Sequence, residues 1–118
     1  MSIRAGRVAE RSAECFLHRQ GLTTVARNYS CRWGELDLVM RDGEKLLVVE
    51  VRSRAIGARC SAEESLSMAK RNRIMLATRH FIARYPRWNN ATVRFDLVAI
   101  SRGDGDNEPR WIKDAFRS

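Results

Sequence analysis

The sequence predicts an α/β domain, because helical and strand-like patterns alternate along the chain. Residues 4–20 and 62–85 carry apolar side chains at helical spacing, whereas residues 92–100 alternate apolar and polar side chains with the period of a strand. The 118 residues are near the common size of one domain. A chain of this length buries enough surface for one hydrophobic core, so we assign residues 1–118 to a single domain.

Each predicted helix ends at a residue that interrupts helical backbone. Gly21 follows the first helix, and glycine readily adopts the left-handed conformation that ends helices. Pro86 follows the second, and the residue before a proline disfavours the helical conformation. The apolar stripe of the second helix, which should face a sheet, consists of Leu66, Ile74, Ala77 and Phe81.

Turn signals and composition predict four more strands. Residues 22–31 contain Thr, Val and Tyr, which favour strands, and residues 110–113 form a short edge strand. Asp42-Gly43 is a hairpin turn between residues 35–40 and 46–52, which are therefore expected to be antiparallel neighbours. The second of these segments is apolar on both faces over most of its length, which is typical of a central strand.

Two carboxylates lie in the strands of this hairpin. A hairpin centred on Asp42-Gly43 brings Asp37 opposite position 48 or 49, and therefore close to Glu50. Burying a carboxylate at the end of an apolar run is costly unless a cation meets it. Carboxylate oxygens are typical ligands of Mg²⁺, so the two side chains predict a divalent metal site. Strand alternation gives the first segment two faces, one with Glu35, Asp37 and Val39 and the other with Leu36, Leu38 and Met40.

Positive charge is the strongest global feature of the composition, with 22 basic and 14 acidic residues and a net charge of +8. Such a balance favours polyanions, nucleic acid first, through counterion release and long-range attraction. No segment is long and apolar enough to span a membrane, so we expect no membrane partner. Three cysteines without paired spacing indicate reduced thiols, and together with a charged N-terminus they predict a cytoplasmic protein.

Glu10 lies on or beside the apolar stripe of the first helix. It is either a solvated side chain paired with Arg7 or Arg11, which is the interpretation we favour for an isolated carboxylate, or an acid directed toward the sheet. Glu14, one helical turn further on, is an alternative for the second role.

Basic side chains flank the proposed acid pair. Lys70 falls in a gap of the apolar stripe of the second helix. It either extends past the edge of the core to solvent, which its position favours, or reaches the acids. Residues 53–61 have the composition of a basic loop. Its Arg54 and Arg59 are either solvated or in contact with phosphate.

Other chemistries have little support in the sequence. Neither His18 nor His80 lies near a cysteine or serine in an arrangement typical of a nucleophilic triad. The acidic turn at residues 103–107 lacks the downstream glutamate of an EF-hand, so we interpret it as a plain turn. The sequence contains no glycine-rich phosphate-binding loop.

At family level, Asp37 followed after a hairpin by Glu50-Val51-Arg52 resembles the bipartite site of the PD-(D/E)XK nuclease superfamily. Nearly the whole chain resembles the YraN family of small bacterial proteins, which are predicted endonucleases related to archaeal Holliday-junction resolvases. The resemblance implies a restriction-endonuclease-like α/β fold, a mixed sheet of about five strands flanked by helices. The matching motifs are Ala9-Glu10, Asn28, Gly34-Glu35-Leu36-Asp37-Leu38, Val49-Glu50-Val51-Arg52-Ser53-Arg54, Lys70, Arg94-Phe95-Asp96 and Asp114-Ala115-Phe116.

The resemblance also implies roles for individual residues. Asp37 and Glu50 correspond to ligands of Mg²⁺ or Mn²⁺, and Glu10 to the helical acid that completes the site. Arg52 stands where the superfamily usually has lysine; it keeps the positive charge but cannot readily lose a proton. Lys70 compensates if it reaches the site. The implied function is hydrolysis of phosphodiester bonds in branched or otherwise structured DNA, and junction-cutting relatives work as homodimers.

Two other classes of protein share these features. A binding module of the same fold, inactive because of Arg52, would keep the basic surface without turnover. A scaffold protein would use the acidic pair only for salt bridges. A pure binder of phosphates gains nothing from three acids in one cleft, so we favour a metal-dependent endonuclease. Its predicted catalytic residues are Asp37, Glu50, Arg52 and Glu10, and its predicted nucleic-acid contacts are Arg54, Arg59 and Lys70.

Overall fold

The computed structural model describes residues 3–55, 61–102 and 109–117. Every helix and strand predicted from the sequence is present in this part of the chain. The acidic turn predicted at residues 103–107 lies outside the described residues. The helices are α1 (Ile3–Arg19) and α2 (Met68–Arg84), with a short 3₁₀ helix at Pro86–Trp88. The strands are β1 (Thr23–Cys31), β2 (Gly34–Asp42), β3 (Lys45–Ala55), β4 (Val93–Arg102) and β5 (Arg110–Phe116).

The five strands form one mixed sheet in the order β1-β2-β3-β4-β5. Neighbouring strands are antiparallel except β3 and β4, which are parallel because α2 carries the chain back between them. β3 is therefore the central strand, as its apolar faces predicted. This is the predicted α/β architecture, a mixed five-stranded sheet flanked by helices, and it is consistent with a nuclease-like fold.

The two helices pack on opposite faces of the sheet. On the α1 face, Leu17 of the helix packs with Leu38 and Val49 of the sheet. On the α2 face, Phe81 packs with Val48 and other apolar side chains. Full burial of each such side chain contributes about 1.5–3 kcal/mol, so packing on the sheet is what holds both helices in place. Neither helix is long and apolar enough to cross a membrane.

α2 begins at Met68, and not near residue 62 as predicted. Ser67 is the N-cap, and its Oγ accepts a hydrogen bond from the Lys70 N–H at 3.1 Å. Residues 62–66 form turns and a bend instead, yet Leu66 still packs in the core on the α2 face. The apolar spacing predicted too early a start for the helix, because Leu66 is buried by a packed turn and not by the first turn of α2.

β3 continues to Ala55, into the segment that was predicted to be a loop. Its parallel pairing with β4 extends to Ala55 opposite Arg102, so this stretch gains backbone partners that its own composition did not indicate. The remainder of the predicted loop, residues 56–60 with Arg59, lies outside the described residues.

Strand alternation breaks at Asp37. Leu36 and Val39 both lie in the core on the α2 face, whereas Leu38 lies on the α1 face. The prediction that Leu36 and Leu38 share a face is therefore wrong. On the neighbouring strand Asn28 has a left-handed backbone with φ of 48°, and the β1–β2 pairing skips Asn28 and Asp37. The irregularity removes Asp37 from the regular alternation of the two faces.

Candidate functional site

Three carboxylates converge at the irregular part of β2. Oxygen atoms of Glu10, Glu35 and Asp37 all lie within 4.8 Å of one another. Glu10 comes from α1, and the other two residues come from β2. We call these three residues the acid group. Their donor atoms are all carboxylate oxygens, the ligand type that Mg²⁺ and Mn²⁺ prefer in proteins.

Glu35 is absent from the predicted site, although the sequence contained a signal for it. It lies two residues before Asp37, and strand alternation placed both on one face. As an isolated carboxylate Glu10 was expected to be solvated, whereas the family resemblance implied the helical acid of the site. In the structure Glu10 is directed toward the sheet and joins the acid group. The predicted pairing with Arg7 also exists, because Arg7 Nη1 lies 3.4 Å from Glu10 Oε1.

Asp37 connects the acid group to the central strand. Its Oδ2 accepts a hydrogen bond from the Val51 N–H at 2.9 Å, just beyond the last β2–β3 pair, Leu38 with Val49. Continuing that register brings Asp37 opposite Glu50, which is one or two positions closer than predicted. Burial, followed by the negative charge of Glu50, raises the pKa of Asp37 to about 8.

Glu50 is buried, with 5% of its surface exposed. Its carboxyl group shares a hydrogen bond with Asp37, and Lys70 Nζ lies 3.6 Å from its Oε1. Burial raises the pKa of Glu50, and the charges of Lys70 and Arg52 offset part of that rise. Lys70 therefore reaches the acids, and the prediction that it extends to solvent is wrong.

Asn28 and Arg7 contact two members of the acid group. Asn28 Nδ2 donates to Glu10 Oε1 at 2.6 Å and to Glu35 Oε1 at 3.1 Å. Arg7 Nη1 lies 3.9 Å from Glu35 Oε1, in addition to its contact with Glu10. Protein donors therefore orient both carboxylates. Asn28 is one of the motifs that carry the family resemblance, but no role was predicted for its side chain.

The predicted basic residues of β3 lie next to Glu50 along the strand. Arg52 Nε is buried and has no hydrogen-bond partner within the described ranges. Leaving a buried donor unpaired costs about 1–3 kcal/mol, which favours a ligand atom that accepts a hydrogen bond from this N–H. Arg54 is partly buried two residues further on. Arg59, the other predicted nucleic-acid contact, lies outside the described residues.

Glu14, the alternative to Glu10, belongs to a separate polar cluster. It is buried on α1, where Arg27 Nε lies 2.8 Å from its Oε2 and the Thr24 hydroxyl donates a hydrogen bond to the same oxygen. Burial raises the pKa of Glu14, but the hydrogen bonds from Arg27 and Thr24 outweigh that effect and lower the pKa overall. Glu14 therefore links α1 to β1 and is not a member of the acid group.

Asp96 is a fully buried carboxylate between β4 and β5. It accepts two hydrogen bonds from Arg94 at 2.8 Å, one from Trp111 Nε1 at 2.9 Å and one from the Asp114 N–H at 2.9 Å. Asp114 has a left-handed backbone with φ of 54°, and the β4–β5 register shifts next to Asp96. Because its oxygens are satisfied by the protein, Asp96 has a structural role in fastening the edge strand.

A family model described as "Uncharacterised protein family UPF0102" matches residues 9–100. The chain belongs to family UPF0102. The resemblance to YraN-like proteins is thereby confirmed. The span matched by UPF0102 contains the whole acid group together with Glu50 and Lys70, and it ends before β5.

Curated UPF0102 relatives match this chain over most of their length. A UPF0102 protein of Pseudomonas aeruginosa (strain LESB58) is 46% identical, over 94% of this chain and 90% of the relative. One of Methylobacillus flagellatus is 44% identical, over 92% of each. One of Pseudomonas putida (strain GB-1) is 41% identical, over 96% of this chain and 93% of the relative. The names of these relatives give the family and no activity.

Proposed function

We propose that this protein is a metal-dependent endonuclease that hydrolyses phosphodiester bonds in DNA. The observation that supports the proposal is the acid group, which lies beside the Glu50–Lys70 pair. Carboxylates repel one another, so bringing three together costs free energy unless a cation binds between them. Arg7 and Asn28 offset part of this cost at Glu10 and Glu35. In our proposal a divalent metal ion offsets the rest.

The donor set fits Mg²⁺ or Mn²⁺, because it consists only of oxygen atoms. In our proposal Asp37 is the shared ligand, with Glu10 and Glu35 on one side and Glu50 on the other. Burial raises the pKa of Asp37 to about 8, and the negative charges of Glu50 and Glu10 add to that rise. A cation bound at Asp37 would offset both effects. A bound Mg²⁺ supplies an activated water and neutralises charge on the phosphate oxygens.

Lys70 and Arg52 supply fixed positive charge next to the acids. The Lys70 ammonium, 3.6 Å from Glu50, stabilises the additional negative charge that develops on the phosphate during hydrolysis. Arg52 keeps its proton at neutral pH, so its role is to bind phosphate and not to accept a proton. Its buried Nε, which has no hydrogen-bond partner among the residues that the structure describes, provides a donor for a phosphate oxygen.

DNA is the proposed partner because of the net charge of +8 and the arginines near the acids. Branched or structured DNA follows from the resemblance to junction resolvases. Two symmetric cuts in such a junction require two sites, so we propose that the active form is a homodimer. The free thiols of Cys15 and Cys31 fit a reducing, cytoplasmic setting.

An inactive nucleic-acid-binding module is the second candidate, favoured by Arg52 at the position where the superfamily usually has lysine. Lys70 weakens this alternative, because it brings an ammonium group to Glu50 from a different element. A binding module of this kind would bind DNA equally well with and without Mg²⁺.

Cleavage of duplex, single-stranded and four-way-junction DNA with Mg²⁺ or Mn²⁺ tests the proposal. We expect Asp37→Asn to lower the rate by at least about 100-fold. Asp42→Asn, at the exposed end of the same strand, is the matched control and should retain activity. DNA binding without any cleavage by the wild type would favour the binding module. Equal cleavage by Asp37→Asn and the wild type would reject the site.

A further inference from the structure

Trp33 is an exposed tryptophan in the turn between β1 and β2. It is 38% exposed, whereas Trp88 in the core is 4% exposed. The guanidinium carbon of Arg32 lies 4.6 Å from the centre of the Trp33 ring, which is a cation–π contact. Neither core cluster of the described chain includes Trp33. Its ring and the neighbouring guanidinium therefore form a positively charged aromatic surface that does not serve the core.

This turn lies next to the acid group. Trp33 precedes Glu35 by two residues, so their Cα atoms are at most about 7 Å apart. Gly34, between them, has φ of 137°, and a Cβ atom there would lie 4.0 Å from the Arg73 side chain of α2. Arg73 is one helical turn beyond Lys70. The aromatic surface is thus bordered by the elements that carry Glu35 and Lys70.

Nucleobases stack on tryptophan rings and on arginine guanidinium planes. In a continuous duplex both faces of a base are already covered by the neighbouring base pairs. An unpaired base can leave its stack at a cost of only a few kcal/mol. Because the Cα atoms of Trp33 and Glu35 are at most about 7 Å apart, a base next to a phosphate at Glu35 can reach Trp33.

We propose that Trp33, together with Arg32, stacks on an unpaired nucleobase adjacent to the phosphate bound at the acid group. The inference rests on the proposed nuclease function and narrows its substrate class. The substrate is DNA with unpaired nucleotides beside the cut, as at a gap, a flap or an open branch point. Continuous duplex cannot present a base face to this turn without local opening.

Binding of an oligo(dT) strand and of a blunt duplex, both in EDTA, tests this inference separately from cleavage. We expect Trp33→Leu to weaken binding of the single strand by about 5- to 100-fold. Binding of the duplex should change by less than about twofold. Trp33→Tyr keeps an aromatic face and should retain most of the affinity for the single strand.

Tyr85→Leu is the matched control, because Tyr85 is 42% exposed and has the Arg84 guanidinium 5.7 Å from its ring centre. It lies at the opposite end of α2 from Lys70 and should not affect binding of the single strand. Tyr85 also packs on Phe81, so thermal unfolding must show that the control variant is folded at the assay temperature.

Equal binding of oligo(dT) by Trp33→Leu and the wild type would overturn the inference, and so would an equal loss of binding on duplex. If binding of oligo(dT) depends on Trp33 but the protein cleaves no substrate with Mg²⁺ or Mn²⁺, the nuclease proposal is rejected and the proposal that Trp33 stacks on a base is supported. Cleavage of gapped and continuous duplex at equal rates, unchanged by Trp33→Leu, would support the nuclease and reject the stacking surface.

Discussion

Lys70 Nζ lies 3.6 Å from Glu50 Oε1, so α2 supplies a cation to the central strand of the sheet. Lys70 occupies a gap in the apolar stripe of its helix, a place from which lysine usually extends to solvent. Here the buried carboxylate of Glu50 changes the outcome, because a buried charge needs a counter-charge. The packing of α2 and the electrostatics of the acids are therefore coupled.

Lys70→Met should destabilise the metal-free protein by about 1–3 kcal/mol near pH 8, because it leaves Glu50 without this cation. The loss is limited because the Lys70 side chain is 31% exposed, so water screens part of its charge. The cost should be smaller near pH 5.5, because burial raises the pKa of Glu50 and acid therefore favours its neutral form more than for a free glutamate. Urea unfolding in EDTA at both pH values measures this difference.

Lys45→Met, at the exposed start of the strand that carries Glu50, is the control for the loss of a lysine. It should change stability by less than about 0.5 kcal/mol at either pH. If Lys70→Met lost the same stability at both pH values, the contact with Glu50 would not be the source of the effect.

Asp37 should make the metal-free protein less stable as the pH rises from about 4 to about 8. Its pKa in the folded protein, about 8, is above the ordinary value of 3.8, so the folded protein keeps a proton that the unfolded chain releases over this range. Below the ordinary pKa of 3.8 this proton contributes its full stabilisation to the folded protein. The contribution is lost as the pH rises through about 8, the pKa of Asp37 in the folded protein. Thermal unfolding in EDTA at about pH 5.5 and 8.5 measures the loss.

Asp37→Asn should reduce the difference in melting temperature between the two pH values, because the amide cannot ionise. Its oxygen can still accept the hydrogen bond from the Val51 N–H. The variant should be more stable than the wild type at about pH 8.5. An unchanged difference between the two pH values would show that other groups cause it.

The architecture was predictable because local patterns specify most of it. The apolar run of β3 identified the central strand, and Asp42-Gly43 identified the antiparallel hairpin. The point at which pairing stops was not predictable. β3 extends to Ala55 because β4 lies beside it, and a partner that is distant in sequence leaves no trace in local composition.

The closeness of Asp37 to Glu50 was predictable for the same reason, since one hairpin carries both. The arrangement of the acid group was only partly predictable. It depends on a break in strand alternation at Asp37, opposite the left-handed Asn28 of the neighbouring strand. The direction of Lys70 likewise depends on the burial of Glu50. Each is a property of two segments together, which no single stretch of sequence displays.

Glu14→Gln should destabilise the fold by about 1–2 kcal/mol at pH 7 without lowering DNA cleavage, because Glu14 is paired with Arg27 and Thr24. The lowered pKa of Glu14 gives a contribution that is present above its ordinary value of 4.5 and is lost as the pH falls through the folded value. The difference from the wild type should therefore shrink near pH 4, which urea unfolding measures.

Glu10→Gln, one helical turn earlier, should have the opposite result. Its stability should change by less than about 0.5 kcal/mol at pH 7, while cleavage should fall by at least about 10-fold because a member of the acid group is lost. Comparing the two variants on the same DNA separates the function of the helix from its packing. Equal cleavage by both variants would remove Glu10 from the proposed site.

Asp96→Asn should destabilise the protein by about 2–4 kcal/mol. The carboxylate is fully buried and accepts four hydrogen bonds, and an amide would turn a donor toward groups that are themselves donors. Urea unfolding measures the cost, with the exposed Asp42→Asn as control. If Mg²⁺ still stimulates cleavage by Asp96→Asn at a temperature where the variant is folded, the result would agree with a structural role for Asp96.

Mg²⁺ or Mn²⁺ should raise the melting temperature of the wild type and of Asp42→Asn, but not that of Asp37→Asn. A metal present at about 100 times its Kd stabilises a protein by about 2.7 kcal/mol, which for a domain of this size is a rise of about 8–12 °C. Glu35→Gln decides which carboxylates bind the ion. A smaller rise in the melting temperature of Glu35→Gln would identify the acid group as the ligand set, because Glu35 belongs to that group and Glu50 does not. A full shift in Glu35→Gln, together with a lost shift in Glu50→Gln, would assign the ion to the Asp37–Glu50 side instead.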